Sequence, residues 1–337
     1  MTALKSAHLF NDDYQFLLEM FSSDEVKQAT QFFDDLHQNP TADKKQQGFA
    51  LLDQMMTSLA GGEPISADKH LVAPATGTQK AVDLYVFYPD NHQNERLPVV
   101  YFAHGGGLIV GNANQQNAAL KALANANKVA VVSLEYTLVP VAPHPADMLD
   151  AYHGLAYLFE NAEHLNFDKH NLIIMGESGG GTVASRLALY NAEQGKYTPK
   201  GLVLIYPMLD YRTGSDDDIY RNEFAGELVW TRATNQLGWT TSQGGQDLAS
   251  DKMRFFSPAL VADVSGLPPT FMAVGSLDLF VNENIDFANK LIRQGVPTEF
   301  HILNGVPHAF ESFNPDSALA QEFFRLRNNA IQKMIGG

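Results

Sequence analysis

The sequence predicts an α/β fold built on a mostly parallel, eight-stranded sheet with helices on both faces. Three observations predict it. Short β-rich runs alternate with amphipathic helical stretches from about residue 69 onward. Runs such as Val-Ala-Val-Val-Ser-Leu at 129–134 and Leu-Ile-Ile-Met at 172–175 are apolar on both faces, as a buried parallel strand must be. No internal repeat or low-complexity tract interrupts the alternation.

The elements follow in order. Between Asp12 and Ala60, Tyr14, Leu17, Leu18 and Phe21, then Phe32, Phe33 and Leu36, then Phe49, Leu52 and Met56 recur at helical spacing. This predicts two helices, separated by Asn39-Pro40 and closed by Gly61-Gly62 and Pro64. Strands are expected at Lys69 to Ala73, Val82 to Tyr88, Pro98 to Ala103, Val129 to Tyr136, Asn171 to Met175, Leu202 to Tyr206, Thr270 to Val274 and Glu299 to Leu303. The alternation in Val82-Asp83-Leu84-Tyr85-Val86 marks the first pair as an antiparallel edge. Helical patterns fall at about 114–127, 146–164, 180–194, 282–294 and 316–334. From Asp210 to Ser257 the alternation stops, and a polar stretch containing Trp230 and Trp239 intervenes. A structureless loop of that length is rare inside a compact domain, so it is expected to form helices over a site, joined in space by the N-terminal segment.

Composition narrows the function classes. The 337 residues are 45% hydrophobic, enough to bury a large core, and 38 acidic against 23 basic residues give a formal charge of −15. That charge repels nucleic-acid phosphates and anionic membrane surfaces. With no cysteine, neither disulfides nor thiolate metal sites can form, which suits a reducing cytoplasm. Met1 to Phe10 lack the basic start and apolar run of a secretory signal, and no uncharged apolar stretch reaches the roughly 18 residues that cross a bilayer. The eleven histidines show no metal-ligand spacing, so neither a catalytic metal nor a cofactor is expected.

Chemistry concentrates at Gly176-Glu177-Ser178-Gly179-Gly180, between an expected strand and an expected helix. A nucleophilic serine at such a turn adopts a strained backbone, and the glycines on either side let strand and helix approach. A phosphate-binding loop has similar glycines, but the lysine it needs is missing. Upstream, His104-Gly105-Gly106-Gly107 follows a strand, where an acyl-transfer enzyme needs backbone N–H groups aimed at a developing oxyanion. Gly105 and Gly106 are the expected donors, joined by Gly179.

This pairing resembles the hormone-sensitive lipase-like family of α/β-hydrolases, the bacterial group IV esterases. The segment Tyr136-Thr-Leu-Val-Pro140 with Pro143, Pro145-Ala146 and Asp150 is similar to that family, as are Tyr206-Pro207-Met208-Leu209-Asp210 and Ser257-Pro258. The resemblance runs from about residue 70 to 325. It implies an α/β-hydrolase catalytic domain over 63–337, with a cap made of residues 1–62 and an insertion at about 210–256. It places the acid at Asp278, after the next-to-last strand, and the base at His308, after the last. Strand ends are also where an open parallel sheet gathers its catalytic groups, and the order Ser, Asp, His is that of α/β-hydrolases.

The expected activity is therefore hydrolysis of short-chain acyl esters through an acyl-enzyme on Ser178. Glu177 is expected to be structural and His104 to brace the oxyanion loop. Four positions depart from the family: Gly179 stands for alanine, Leu108 for a bulky aromatic, Thr137 for arginine and Leu279 for proline. Leu108 and Gly179 border the acyl side, so pocket size does not carry over. Amide hydrolysis on the same triad and non-enzymatic binding of a small molecule are the alternatives. A homodimer through the edge strand near Glu299 to Leu303 is the expected form of any self-association.

Overall fold

The computed structural model describes residues 4–59, 65–93 and 95–336. Gly61, Gly62 and Pro64, expected to close the N-terminal helices, lie outside the described residues.

Eight strands form one sheet: β1 Lys69–Ala73, β2 Val82–Phe87, β3 Leu97–Ala103, β4 Ala130–Leu134, β5 Phe167–Glu177, β6 Gly201–Ile205, β7 Thr270–Gly275 and β8 Thr298–Leu303. Their spatial order is β1-β2-β4-β3-β5-β6-β7-β8. β1 pairs antiparallel with β2, and β2 with β4, while every later pair is parallel. The first pair is thus an antiparallel edge, as its alternation predicts, and β8 is the opposite edge.

The helices are α1 Phe16–Met20, α2 Asp24–Gln38, α3 Ala42–Leu59, α4 Asn117–Asn127, α5 Ala146–Glu160, α6 Ala162–Leu165, α7 Gly179–Gln194, α8 Arg232–Gln243, α9 Val281–Arg293, α10 Phe310–Phe313 and α11 Ala318–Gly336. On one face of the sheet, Leu155 of α5, Val183 and Leu187 of α7 and Phe287 and Leu291 of α9 pack with Val99, Tyr101, Leu172 and Ile174. On the other, Leu120 and Leu123 of α4 and Phe323 and Ile331 of α11 pack with Val100, Phe102, Ile173 and Met175. Consecutive strand residues alternate between the two cores, which is why Ala130–Val132 of β4 and Leu172–Met175 of β5 are apolar on both faces.

Four places differ from the sequence expectation. Between Asp12 and Ala60, where two helices are expected, the short helix α1 precedes α2 and α3. The stretch 146–164 is two helices, because the chain leaves helical geometry at Asn161. The insertion carries a single α-helix, α8, capped by a reciprocal Thr231–Thr234 box, and a 3-10 turn at Asp251–Met253; its other turns are held by side chains such as Asp218, which accepts from the N–H groups of Gly214 and Tyr220. Phe10, Tyr14 and Leu17, expected in the cap segment 1–62, pack instead with α4 and α11. The Asn11 N–H donates to Gly305 O at 2.9 Å, and the Tyr14 ring meets Phe310 edge-on at 5.7 Å. Lys5 and Ser6 donate their N–H groups to Glu227 of the insertion. By contrast, Phe33 and Leu36 of α2 share a core with Leu237 of α8, so α2 and α3 roof the sheet together with the insertion.

Candidate active site

The site is assembled at the carboxyl ends of β3, β5, β7 and β8. Ser178, directly after β5, has φ 55° and ψ −121°, a conformation rare for a residue with a side chain. Its surroundings over-determine that geometry. The Ser178 N–H donates to Ile205 O at 2.9 Å, and its carbonyl accepts from Gly181 at 2.9 Å and Met208 at 3.1 Å. A Cβ on Gly180 would stand 2.1 Å from Ala103 O, so only glycine lets α7 start this close to β3.

Asp278 follows β7 and is fully buried; its Oδ1 accepts the Phe280 N–H at 2.9 Å. The loop after β8 is fastened to the same turn, since Gly305 N–H donates to Ser276 Oγ at 2.8 Å and Leu277 N–H to Val306 O at 3.1 Å. This brings His308 Nδ1 to 2.7 Å from Asp278 Oδ2 and His308 Nε2 to 2.8 Å from Ser178 Oγ. With Nδ1 facing a carboxylate, the imidazole proton sits on Nδ1 and Nε2 is free to accept from the serine hydroxyl. The three side chains chosen from the sequence are therefore one continuous hydrogen-bonded chain.

The glycine cluster lies against this chain. A Cβ on Gly105 would lie 3.5 Å from Ser178 Cβ, and Gly106, Gly107 and Leu108 have φ 119°, 58° and 70° in succession. A Cβ on Gly179 would lie 2.8 Å from Gly107 N and 2.6 Å from Leu108 N. The structure thus brings the Gly107 amide, which the sequence reading passed over, directly beside Gly179. This loop closes down onto the position where the family commonly carries alanine. His104 is buried, its Nδ1 2.8 Å from Gly105 O and its ring stacked on Tyr136 at 4.3 Å. The Tyr136 hydroxyl donates to His104 O at 2.9 Å. Burial pushes the imidazole pKa down to about 4, so His104 is neutral at pH 7 and braces the loop through stacking and hydrogen bonds.

Near His308 lies an acid pair of which sequence reasoning found only one member. Glu177 is buried and accepts from Gln116 Nε2 at 3.0 Å; burial raises its pKa, against the opposing charge of Arg327. Glu311 of α10 accepts the Tyr206 hydroxyl, and the Tyr206 ring meets His308 at 4.6 Å. Burial first, then the nearby charge of Glu177, push Glu311 up to about 7 from an ordinary 4.5. Between those values the folded state binds more protons than the unfolded chain. The contribution of Glu311 to stability is therefore fully present below pH 4.5 and is lost as pH rises through 7. Glu311→Gln, which keeps an acceptor for Tyr206, should flatten that decline, and the variant should gain about 3 kcal/mol relative to the parent between pH 4 and 8. Urea midpoints at the two pH values read it; an unchanged difference would show that Glu311 ionises as freely as an exposed acid.

Among the described residues, no group of three histidine, aspartate or glutamate side chains is placed to hold a metal ion, and no helix is long and apolar enough to cross a membrane.

A comparison with known families matches residues 99–312 to the α/β-hydrolase fold family. The chain belongs to that family, in its hormone-sensitive lipase-like branch of carboxylic ester hydrolases. Similar to this α/β-hydrolase is the carboxylesterase NlhH of Mycobacterium tuberculosis, 28% identical over 225 residues that make up 65% of this chain and 68% of that protein. An ethyl acetate hydrolase of Pseudomonas putida is 29% identical over 210 residues, 62% of this chain and 64% of that one. The structure of esterase LipW from Mycobacterium marinum superposes with a TM-score of 0.74 at 28% identity, covering 88% and 92% of the two chains. A bacterial heroin esterase shares the fold over 98% of this chain and 99% of its own, with a TM-score of 0.83 at 24% identity.

Besides the expected residues, the α/β-hydrolase site contains Trp230 and Phe280, whose rings stand 6.4 and 5.3 Å from that of His308. Phe280 could be inferred from its place two residues after the acid. Glu311 gave no sequence signal, and Trp230 none beyond its place in the stretch expected to lie over a site, because their partners are distant in sequence.

Proposed function

We propose that this α/β-hydrolase cleaves short-chain carboxylic esters, with Ser178 as nucleophile, His308 as general base and then acid, and Asp278 as the group that fixes the imidazole tautomer. The observation that carries the reading is the unbroken chain Asp278–His308–Ser178, at 2.7 and 2.8 Å. His308 Nε2 takes the serine proton as Oγ attacks the ester carbonyl, and returns it to the leaving alcohol. Water deprotonated by the same nitrogen then attacks the acyl-enzyme carbonyl, releasing the acid and restoring Ser178. The amides of Gly105, Gly106 and Gly179 are read as oxyanion donors, with that of Gly107 added for its position beside Gly179.

We read α2 and α3, within residues 1–62, together with residues 210–256 as the cap over this site, while Phe10, Tyr14 and Leu17 lie on the other face of the sheet. A cytoplasmic setting fits the cysteine-free composition. Self-association through edge strand β8, which exposes Ile302, belongs to the same reading; a dimer mass in light scattering at micromolar concentration supports it and a monomer mass removes it.

The test is hydrolysis of 4-nitrophenyl esters from acetyl to dodecanoyl at neutral pH. Turnover should be greatest between acetyl and butanoyl and fall steeply beyond hexanoyl. A folded protein that hydrolyses none of them would overturn the proposal.

A further inference from the structure

We infer that Trp230 sets the upper limit on acyl-chain length, an assignment that rests on the ester-hydrolase reading. The indole closes on the oxyanion loop: a Cβ on Gly107 would stand 2.2 Å from its Cη2 and 2.4 Å from its Cζ2. Gly107 is the residue whose amide adjoins Gly179, so the tip of the ring sits beside the donors themselves. An acyl carbon bonded to Ser178 directs its oxygen to those amides and its leaving alcohol to His308 Nε2. The remaining substituent, the acyl chain, is the one that must find room beside the oxyanion loop, where Trp230 stands.

The ring is fixed in that place. Its Nε1–H donates to Asn235 Oδ1 at 3.2 Å, and Asn235 Nδ2 donates to Thr213 O at 2.7 Å. The Thr213 hydroxyl donates in turn to Glu283, a buried acid that also accepts the Leu209 N–H at 2.6 Å. Swinging the indole aside breaks a bond between buried polar groups, which an ordinary acyl chain has no means of replacing. Val229, just before it, has φ 66°, so the backbone that delivers the ring is itself held in an uncommon conformation. From the other side, Met56 of α3 comes within 3.3 Å of where a Cβ on Gly106 would lie, and Gly238 of α8 packs on Gly107 O. The wall is built from both cap segments, and Trp230 is its largest part.

The experiment compares Trp230→Phe, Trp230→Leu and Trp230→Ala with the parent on two ester series, one varying the acyl chain on a constant 4-nitrophenol, the other varying the alcohol on a constant acetyl group. Ratios within each protein cancel any general loss of activity. Each methylene newly accommodated contributes about fourfold, so the octanoyl-to-acetyl ratio of kcat/KM should rise at least about 30-fold in Trp230→Ala and by smaller steps in Trp230→Leu and Trp230→Phe. The alcohol series should stay within about threefold. If Trp230→Ala does not fold, the graded pair Trp230→Leu and Trp230→Phe carries the comparison. A flat acyl series, or a shift confined to the alcohol series, overturns the inference while leaving ester hydrolysis intact. Absence of any ester hydrolysis by the parent chain instead removes the underlying reading.

Discussion

Ser178→Ala should lower kcat/KM on an acetyl ester by about 10⁴ to 10⁶ while leaving the unfolding free energy from urea titration within about 1 kcal/mol of the parent. The two halves of this result have separate causes. In the proposed mechanism activity falls because Oγ forms the acyl-enzyme, leaving only the residual rate that the oxyanion donors and substrate binding would sustain. Stability is spared because the backbone strain at φ 55° is carried equally by alanine, and the bond lost is the one from Oγ to His308 Nε2 at 2.8 Å. His308→Ala should fall about as far. Asp278→Asn should lose about 10⁴ by favouring the wrong imidazole tautomer, and combining Ser178→Ala with His308→Ala should cost no more than either alone. Retention of a tenth or more of the activity in Ser178→Ala would exclude Ser178 as the nucleophile.

The largest effect on stability is expected at a site remote from the chemistry. Arg186 is fully buried in α7, with Nη1 2.5 Å from Asp147 Oδ2 of α5 and with Nε and Nη2 donating to Phe256 O at 3.0 and 2.5 Å. Its guanidinium lies 5.7 and 5.4 Å from the ring centroids of Trp239 and Phe256. One side chain thereby ties two core helices to the returning arm of the insertion. Arg186→Met keeps much of the apolar volume but strands a buried carboxylate, and should cost about 3 to 5 kcal/mol. The pH dependence identifies the cause. Burial pushes the Asp147 carboxyl up, but Arg186 and His144 outweigh it and hold the group below the usual carboxylate range. The parent therefore loses this stability as pH falls, whereas in Arg186→Met only His144, 3.5 Å away, still opposes burial, so Asp147 is raised and stability is lost as pH rises. The gap between the two proteins should be widest near pH 7 and narrow toward pH 4. Asp147→Asn in the variant background should recover part of the loss. A cost below about 1 kcal/mol at neutral pH would show that Asp147 finds another partner.

What could be read in the sequence was whatever two-sided burial writes into residue choice. Val129 to Leu134 and Leu172 to Met175 have no polar face because α-helical layers cover both, and this marked them as interior strands. Ser178, Asp278 and His308 were legible for a related reason: each follows a recognisable strand, and the topology gathers strand ends. The same logic could not distinguish Gly105 and Gly106 from Gly107, since a left-handed run that ends on Leu108 is decided by what packs on the loop. Glu311 reads as a surface charge in a short helix, and only the hydroxyl of Tyr206, more than a hundred residues earlier, gives it a buried partner. In the insertion, turns held by Asp210 and Asp218 leave no repeat to detect.

The docking of residues 4–17 also bears on the order in which the enzyme becomes competent. Tyr14 meets Ser317 and Asn314 across about three hundred residues of chain, and Asn11 fastens Gly305, three residues before the base. Contacts so distant in sequence compensate for loop closure only after the intervening sheet has been assembled. During synthesis the segment leaves the ribosome long before β8, and has nothing to dock on until that strand has followed it out. The sheet can be assembled while the loop that carries His308 still awaits its clasp, so closing that clasp joins an early stretch of sequence to a late one.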